Sequence, residues 1–593
     1  MLMQKQKYRF YLKQMLYSKT HFMPALPPAT RGRLLILFLL MLSQVNNAQI
    51  ERETRAVWLA TNHRLDWPPP TFDAEKQKKS LEEIFDNIKS KNLNTIFFQV
   101  RSNGTVLFKS SMEPMSSYIT GKLNGRALYD PLEYAVKLAH ERGLEIHAWF
   151  NCVNIFSGSE NSIFNHPDHI SQRKPGWIVE DNRDGVKSFW LDPGLPEVRE
   201  YISDLIAEAV ENYDIDGVHL DYIRYPGKNF DDDFSFGIYG KSLSRDDWRR
   251  NNITDLIGLI NKKIKEIKPD VKLGAAPIGV YKNQKGMYAW EGFTEVYQDS
   301  REWLSKGILD YVAPQIYWGL SDNPRFDIVA KEWINNSFGR SVILGIGAYK
   351  DNVKTELEKM IQFSRANNSD GIAFFRYSSI KNYDFKNFSY KTYPASMVWL
   401  DGIYPDSPHD LVVKKENDNK IILDWQIKKS NSNDSIRYFA LYNLPHPSSE
   451  LLPEYLNDII PADKTSISFP LRPKQINYYF TLKSVSKSWN ESIESSNIVQ
   501  IKFDELSYLA NNAVNASRPV LLKGSDETFQ IILSSEIDQH VEVFGLINNN
   551  KVVLLKKEIF IGKNVLGINV SKNKYSSLKI VLSNSQKEYE LKL

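Results

Sequence analysis

The chain has 593 residues, 42% of them hydrophobic and 25% charged, with a single cysteine. That is more chain than one hydrophobic core organises, and the composition excludes a disordered protein, a disulfide scaffold and a thiolate metal cluster. The formal charge of +4 arises in residues 1–48, which hold seven Lys or Arg and no acid, so the remainder carries −3 and points away from nucleic-acid and anionic-membrane partners.

The basic start runs into the apolar stretch Leu34 to Leu42, too short to cross a bilayer, and then into small and polar residues ending at Ala48. Residues 1–48 therefore read as a secretory signal peptide, and the protein is expected to be exported, periplasmic or extracellular, with no membrane span. From Thr54 onward, short apolar runs alternate with helical periodicity. Strands are predicted at 54–61, 94–101, 145–151, 217–222, 271–277, 311–317, 341–347 and 371–377. Helices are predicted at 75–91, 131–142, 196–213, 253–267, 299–306 and 354–366. Eight strand–helix units predict an α/β fold, a (β/α)8 TIM barrel over residues 52–400 with its site at the C-terminal strand ends. The alternative, a doubly wound sheet, lacks a Gly-rich phosphate loop after the first strand, and no cofactor is expected. Long insertions at 102–129 and 152–195 fall on the predicted active face.

After Tyr404-Pro405-Asp406-Ser407-Pro408 the helices stop. Strands predicted at 420–425, 436–442, 465–469, 478–485 and 497–503 suggest a fibronectin type III-like sandwich over 405–503, with Trp425 in its core. A second small β-sandwich is expected over 504–593, with strands near 528–533, 540–545, 552–557 and 578–582.

The fourth strand, Asp216-Gly217-Val218-His219-Leu220-Asp221-Tyr222-Ile223-Arg224, alternates an apolar face with a polar one. His219 and Asp221 share the polar face, and an acid there must be hydrogen-bonded, paired with Arg224, or functional. Other strand ends add Gln99 and Arg101, then His147, Trp149 and Asn151, then Gln315, Tyr317 and Trp318, then Arg376 and Tyr377. Aromatic rings suit sugar C–H faces, and forked polar groups suit hydroxyls, so these residues with His219, Tyr222 and Arg224 are the expected saccharide-binding set. Glycoside cleavage asks for two carboxyl groups. Asp221 is the expected nucleophile or base, with Glu113 or Glu291 as the loop acid. Asp299 reads as a helix N-cap, Asp231-Asp232-Asp233 as a solvated loop, and Cys152 as a small buried hydrophobe. His63, His147, His219 and Asp221 lack any recognised metal-ligand spacing, so no metal is expected.

Residues 52–400 resemble the glycosyl-hydrolase-10-like (GHL10) family of bacterial exported proteins. The resemblance is carried by Arg55-Ala56-Val57-Trp58-Leu59-Ala60-Thr61, Leu65-Asp66-Trp67-Pro68, Phe98-Gln99-Val100-Arg101, Glu113-Pro114, His147-Ala148-Trp149-Phe150-Asn151, Leu191-Asp192-Pro193-Gly194, Asp216 to Pro226, Tyr297-Gln298-Asp299-Ser300-Arg301 and Ala313-Pro314-Gln315-Ile316-Tyr317-Trp318. It implies a TIM barrel and a glycan substrate, with members linked to bacterial cell-wall glycan strands. This chain departs from the family at Met115 and Asn103-Gly104-Thr105, where a tryptophan and a Gly-Asp pair are commoner. The fourth strand also looks like the Asp-rich motif of chitinase-type barrels, but Ile223 occupies the place of their terminal acid. The expected function is hydrolysis of a cell-wall or other polysaccharide, a peptidoglycan-type glycan included. The alternatives are a non-catalytic glycan-binding barrel, or an adhesin whose sandwiches carry the function.

Overall fold

A computed structural model describes residues 52–593 apart from 159–160, 184, 241, 401, 403, 418–419, 428–435, 471–476, 503–518, 524–527, 536, 548–549, 561, 571–573 and 593. The expected signal peptide lies outside the described residues. Among the described residues no helix is long and apolar enough to cross a membrane.

Eight parallel strands alternate with helices: β1 (Thr54–Leu59), α1 (Ala74–Ser90), β2 (Thr95–Ser102), α2 (Pro131–His140), β3 (Glu145–Asn151), α3 (Pro196–Asn212), β4 (Gly217–Asp221), α4 (Arg245–Ile267), β5 (Lys272–Ala275), α5 (Ser300–Ser305), β6 (Tyr311–Val312), α6 (Phe326–Asn335), β7 (Ser341–Ile346), α7 (Leu357–Ala366) and β8 (Gly371–Phe374). Each strand pairs with the next in parallel, and β1 pairs with both β2 and β8, so the sheet closes into a TIM barrel. The eight predicted strands are all present. Pro314 interrupts the sixth, because it has no N–H for the ladder, and Gln315–Ile316 resume the pairing on β7. Helix α6 was not among the predicted helices, and α4 begins eight residues earlier than expected, where Ser244 caps it by accepting from Asp247 N.

Two apolar layers result. The outward faces of the strands pack under the helices in one large core that includes Val57, Phe98, Ile146, Val218 and Leu220. Inside the barrel a second cluster holds Ala56, Trp58, Phe97, Trp149, Ala276, Tyr311, Ala313, Ile343 and Ala373. Small residues leave room there for rings. A Cβ on Gly274 would lie 2.1 Å from the Tyr311 ring, and one on Gly217 would lie 2.7 Å from the His147 ring.

The rings inside the barrel are joined by hydrogen bonds. Trp58 Nε1 donates to His219 Nε2 at 2.9 Å. His219 Nδ1 and His147 Nδ1 lie 3.0 and 2.7 Å from the Tyr311 hydroxyl, and His147 Nε2 lies 3.5 Å from Glu145 Oε2. An indole can only donate, so His219 accepts at Nε2 and carries its proton on Nδ1, which it gives to Tyr311. Tyr311 then donates to His147, whose Nε2–H faces the carboxylate. Glu145 also pairs with Lys272 and accepts from Trp489 Nε1 at 2.8 Å.

Trp489 belongs to the next module. Three strands (residues 409–417, 420–426 and 466–470) and four strands (456–461, 436–444, 477–486 and 499–502) form two antiparallel sheets, with Trp425 buried between them as expected. This module packs on the N-terminal end of the barrel. Tyr438 stacks on Trp489 and Tyr393 packs tilted against it, and Arg437 pairs with Asp214 at 2.5 Å and donates to His140 Nδ1 at 2.9 Å. Residues 520–592 form two further antiparallel sheets of three and four strands.

Replacing Trp489 by Phe keeps the stacking and removes the donor to Glu145. Equilibrium unfolding of the full chain should then show a loss of about 1–3 kcal/mol. An unchanged midpoint would mean that Glu145 does not depend on this contact.

Candidate active site at the barrel mouth

β4 ends at Asp221, which is part-buried at the C-terminal mouth. The strand end is anchored from below: Cys152 N donates to the Asp221 carbonyl at 2.8 Å, and Cys152 itself is a buried hydrophobe. Asp221 Oδ1 accepts from Tyr222 N at 2.7 Å and from Gln315 Nε2 at 3.2 Å. Among the described residues Oδ2 accepts no hydrogen bond of ordinary geometry. The Trp149 indole N–H is buried and unpaired, and it stabilises the Asp221 charge from just beyond that geometry. Burial nevertheless dominates and pushes the carboxyl up to about 6, against the opposing pulls of Tyr222 N–H, Arg224, Gln315 and Trp149. Next to it, Tyr222 holds a left-handed backbone with φ 48°, a conformation costly for a residue with a side chain and common at functional sites.

Two aromatic groups flank this acid. On the β6 to β8 side, Tyr317 and Phe375 stack at 5.4 Å, and Tyr349, half exposed, stands edge-on to both at 6.0 Å. Burial, and then the Asp221 charge, hold the Tyr317 phenol far above its ordinary pKa, so it remains a hydrogen-bond donor. On the β3 to β5 side, Tyr222 and Trp190 meet at 5.7 Å, and the Arg224 guanidinium lies over Trp190, Tyr222 and Trp290 at 5.2, 5.0 and 4.9 Å. Trp190 and Trp290 come from insertions. Trp190 sits in a three-stranded antiparallel sheet (Asn154–Ser157, Ile178–Arg183 and Val186–Leu191) where a long loop was expected.

Several expected ligand-facing groups sit elsewhere. His147 and His219 lie below the mouth in the hydrogen-bonded ring chain, and burial with the neighbouring His147 holds His219 well below its ordinary pKa. Gln99 faces inward, accepting from Thr61 N and Asn62 N and donating to Asn151 at 3.2 Å. Arg101 grips Glu113 at 2.8 and 2.6 Å, and its remaining N–H groups reach the Asn151 and Cys152 carbonyls. The Glu113 side chain is 0% exposed and also accepts from Tyr201. Glu291 accepts from Asn283 N at 2.6 Å and from Thr294 Oγ1 at 2.5 Å within its own loop, and these bonds lower its pKa despite burial.

Arg376 is engaged in an ion pair with the buried Asp66 carboxylate at 2.7 Å, and Tyr377 is buried in the outer core. Trp318 is part-buried over Gly279. The acidic run divides: Asp232 is buried in a two-pronged pair with Arg249, contrary to the expected solvated loop, while Asp231 and Asp233 are exposed. Asp299 is the expected N-cap, accepting from Glu302 N. Tyr349, Phe375, Trp190 and Trp290 were absent from the expected set. Tyr349 and Phe375 stand at strand ends, where the barrel rule alone would have found them. Among the described residues no group of His, Cys, Asp and Glu is arranged to hold a metal ion.

The family model described as glycosyl hydrolase-like 10 matches residues 53–365, which is the barrel from β1 through α7. The chain belongs to this family. Glycosyl hydrolase DigH of Escherichia coli O6:H1 is 35% identical to the present chain over 338 residues, covering 52% of this chain and 76% of that protein. Glycosyl hydrolase YngK of Bacillus subtilis is 30% identical over 442 residues, covering 68% of this chain and 85% of that protein. The glycosyl hydrolase-like 10 match thus covers seven of the eight barrel strands and the mouth residues as far as Tyr349.

A carboxyl with a raised pKa destabilises the fold wherever it ionises. Stability tied to its proton is complete below about 3.8 and is lost as pH rises through about 6. Asp221→Asn should therefore match the parent protein near pH 3.5 and exceed it above pH 6, by on the order of 2 kcal/mol, in unfolding titrations run at both pH values. Glu113→Gln should instead lose about 3–5 kcal/mol, because it strands a buried guanidinium. A Glu113→Gln protein of parental stability would free that residue for another role.

Proposed function

We propose that this protein is an exported glycoside hydrolase acting on a polysaccharide, a cell-wall glycan of the peptidoglycan type included, with Asp221 as its central acid–base group. One observation carries the reading. A part-buried carboxyl stands at the barrel mouth between two aromatic groups, with one oxygen unbound and an acidity near 6. A carboxyl of that acidity is populated in both protonation states near neutral pH, as proton transfer to or from a glycosidic oxygen requires. The sequence suggested Asp221 as nucleophile or base, but its raised pKa suits the proton donor better.

Gln315 and the Tyr222 N–H orient Oδ1, leaving Oδ2 without a hydrogen bond of ordinary geometry among the described residues. Trp149 and Phe375, 6.5 Å apart, close the floor and limit the water that could level the acidity. Pyranose C–H faces would lie on Tyr317, Tyr349 and Tyr222. Of the two loop acids, Glu291 is held below its ordinary pKa by the hydrogen bonds of its own loop and is the candidate for activating water. Glu113 acts as the counter-charge that holds Arg101 under the β3 end. The family membership supports the glycosidase reading at the level of reaction class.

A second reading is a glycan-binding barrel without chemistry. It is favoured by the internal hydrogen bonding of both loop acids. Reducing-end release from purified cell-wall glycan separates the two. Asp221→Asn should lower kcat by about 10²–10⁴ with KM within a few-fold. As a proton donor with a pKa of about 6, Asp221 should make kcat/KM of the parent enzyme fall as pH rises above that value. A profile that rises instead would make Asp221 the base. Saturable binding with no reducing ends released by the parent protein would establish the second reading.

A further inference from the structure

Arg224, part-buried at the mouth, differs from the arginines that are held by ion pairs in the barrel. Arg101 holds Glu113 with two N–H groups, Arg249 holds Asp232 at 2.7 Å twice, and Arg365 holds Glu53 at 2.9 and 2.8 Å. Each charge taken out of water has its counter-charge, as the cost of desolvation demands. Arg224 makes one hydrogen bond, from Nη1 to the Tyr225 carbonyl at 3.1 Å, and among the described residues no carboxylate lies within 4.0 Å of it. Asp221 and Asp181 act on it only at longer range, and Arg183, 5.5 Å from the Trp290 ring centroid, adds a second positive charge.

Three rings hold the guanidinium in place. Trp190, Tyr222 and Trp290 lie within 5.2 Å of its carbon, which compensates part of the lost hydration and restricts the side chain. What remains is a fixed fork of N–H donors without an acceptor, three residues along from Asp221 and on one flank of it. A planar fork of this kind is matched by a carboxylate, which accepts two parallel hydrogen bonds. The opposite flank, Tyr317, Phe375 and Tyr349, presents rings, with Lys350 Nζ bonded to the Tyr317 carbonyl rather than aimed into the cleft.

We infer that Arg224 and its ring of Trp190, Tyr222 and Trp290 form a subsite for a carboxylate-bearing sugar residue, so that the preferred glycan is acidic on one side of the cleavage point and neutral on the other. This rests on the glycan reading of the mouth and extends it to a substrate class. The neutral flank takes its sugar by stacking, and the acidic flank sets the direction in which a chain lies across Asp221.

The test is binding to full-length Asp221→Asn, which removes turnover from the measurement. The probes are hexasaccharides bearing uronate or 3-O-lactyl carboxylates, each beside the same hexasaccharide with its carboxyl groups reduced to alcohols. Calorimetry should show one of the acids binding at least about tenfold tighter than its own alcohol, and the preference should vanish in Asp221→Asn/Arg224→Gln, while the alcohols bind both proteins alike. No acid preference in any pair, or a preference that survives Arg224→Gln, overturns the subsite. Thermal unfolding of the double variant within a few degrees of Asp221→Asn shows that the loss is not one of folding. Reducing-end release by the parent protein is scored separately: a protein that binds the acid through Arg224 yet cleaves nothing retains the subsite and loses the hydrolase reading.

Discussion

A closed barrel of eight parallel strands has an interior that must be filled, and this chain fills much of it with polar rings. The chain of hydrogen bonds from Trp58 through His219 and Tyr311 to His147, whose Nε2 faces Glu145 at 3.5 Å, is the interaction on which the rest depends. Each member is buried, so a missing partner would leave a donor or acceptor out of water with nothing to replace it. Its direction is set at the two ends, by an indole that can only donate and a carboxylate that can only accept. Glycine at 217 and 274 is the steric counterpart, because the His147 and Tyr311 rings occupy the space of a side chain there. The lower end of the chain joins the barrel to the first sandwich through Trp489, so the module after residue 405 completes the polar core rather than hanging from a linker.

The same packing shapes the mouth. With the interior sealed by Trp58, Trp149 and Phe375, the residues one layer higher are desolvated on one side and open on the other. Asp221 stands at that boundary, and its shifted acidity follows from burial acting against a small number of hydrogen bonds. Cleft residues come from two sources. Strand ends provide Asp221, Tyr222, Gln315, Tyr317 and Phe375, whose positions are held by the ladder. Insertions provide Trp190 and Trp290, which lie on the Arg224 side. The rigid half carries the acid and the variable half carries the charge, a division that lets a barrel keep its chemistry while loops alter what it accepts.

Much of the architecture was legible in the residues. Short apolar runs located all eight strands, and 3.6-residue apolar spacing located every interstrand helix except α6. Trp425 and Cys152 were legible as core, and Asp299 as a cap. The site was legible in part. Alternation put His219 and Asp221 on one face of β4 correctly, yet it could not say that two residues along a strand separate a sealed interior from an open mouth. His147 and His219 therefore read as ligand-binding groups when they are the filling of the barrel. Arg101, Glu113 and Asp232 were misplaced for a related reason: an ion pair between distant segments leaves no local periodicity.

The sequence by itself determined the order of strands and helices, the closure they imply and the strand ends from which a site could be built, because these follow from the local spacing of apolar and polar side chains. Only the tertiary structure decided which polar groups are satisfied internally and which remain open. Glu113 and Arg101 quench each other, Asp221 keeps an unbound oxygen, and Arg224 keeps an unpaired fork. That distinction depends on which residues meet across the barrel and how far water reaches between them, and neither is a property of neighbours along the chain.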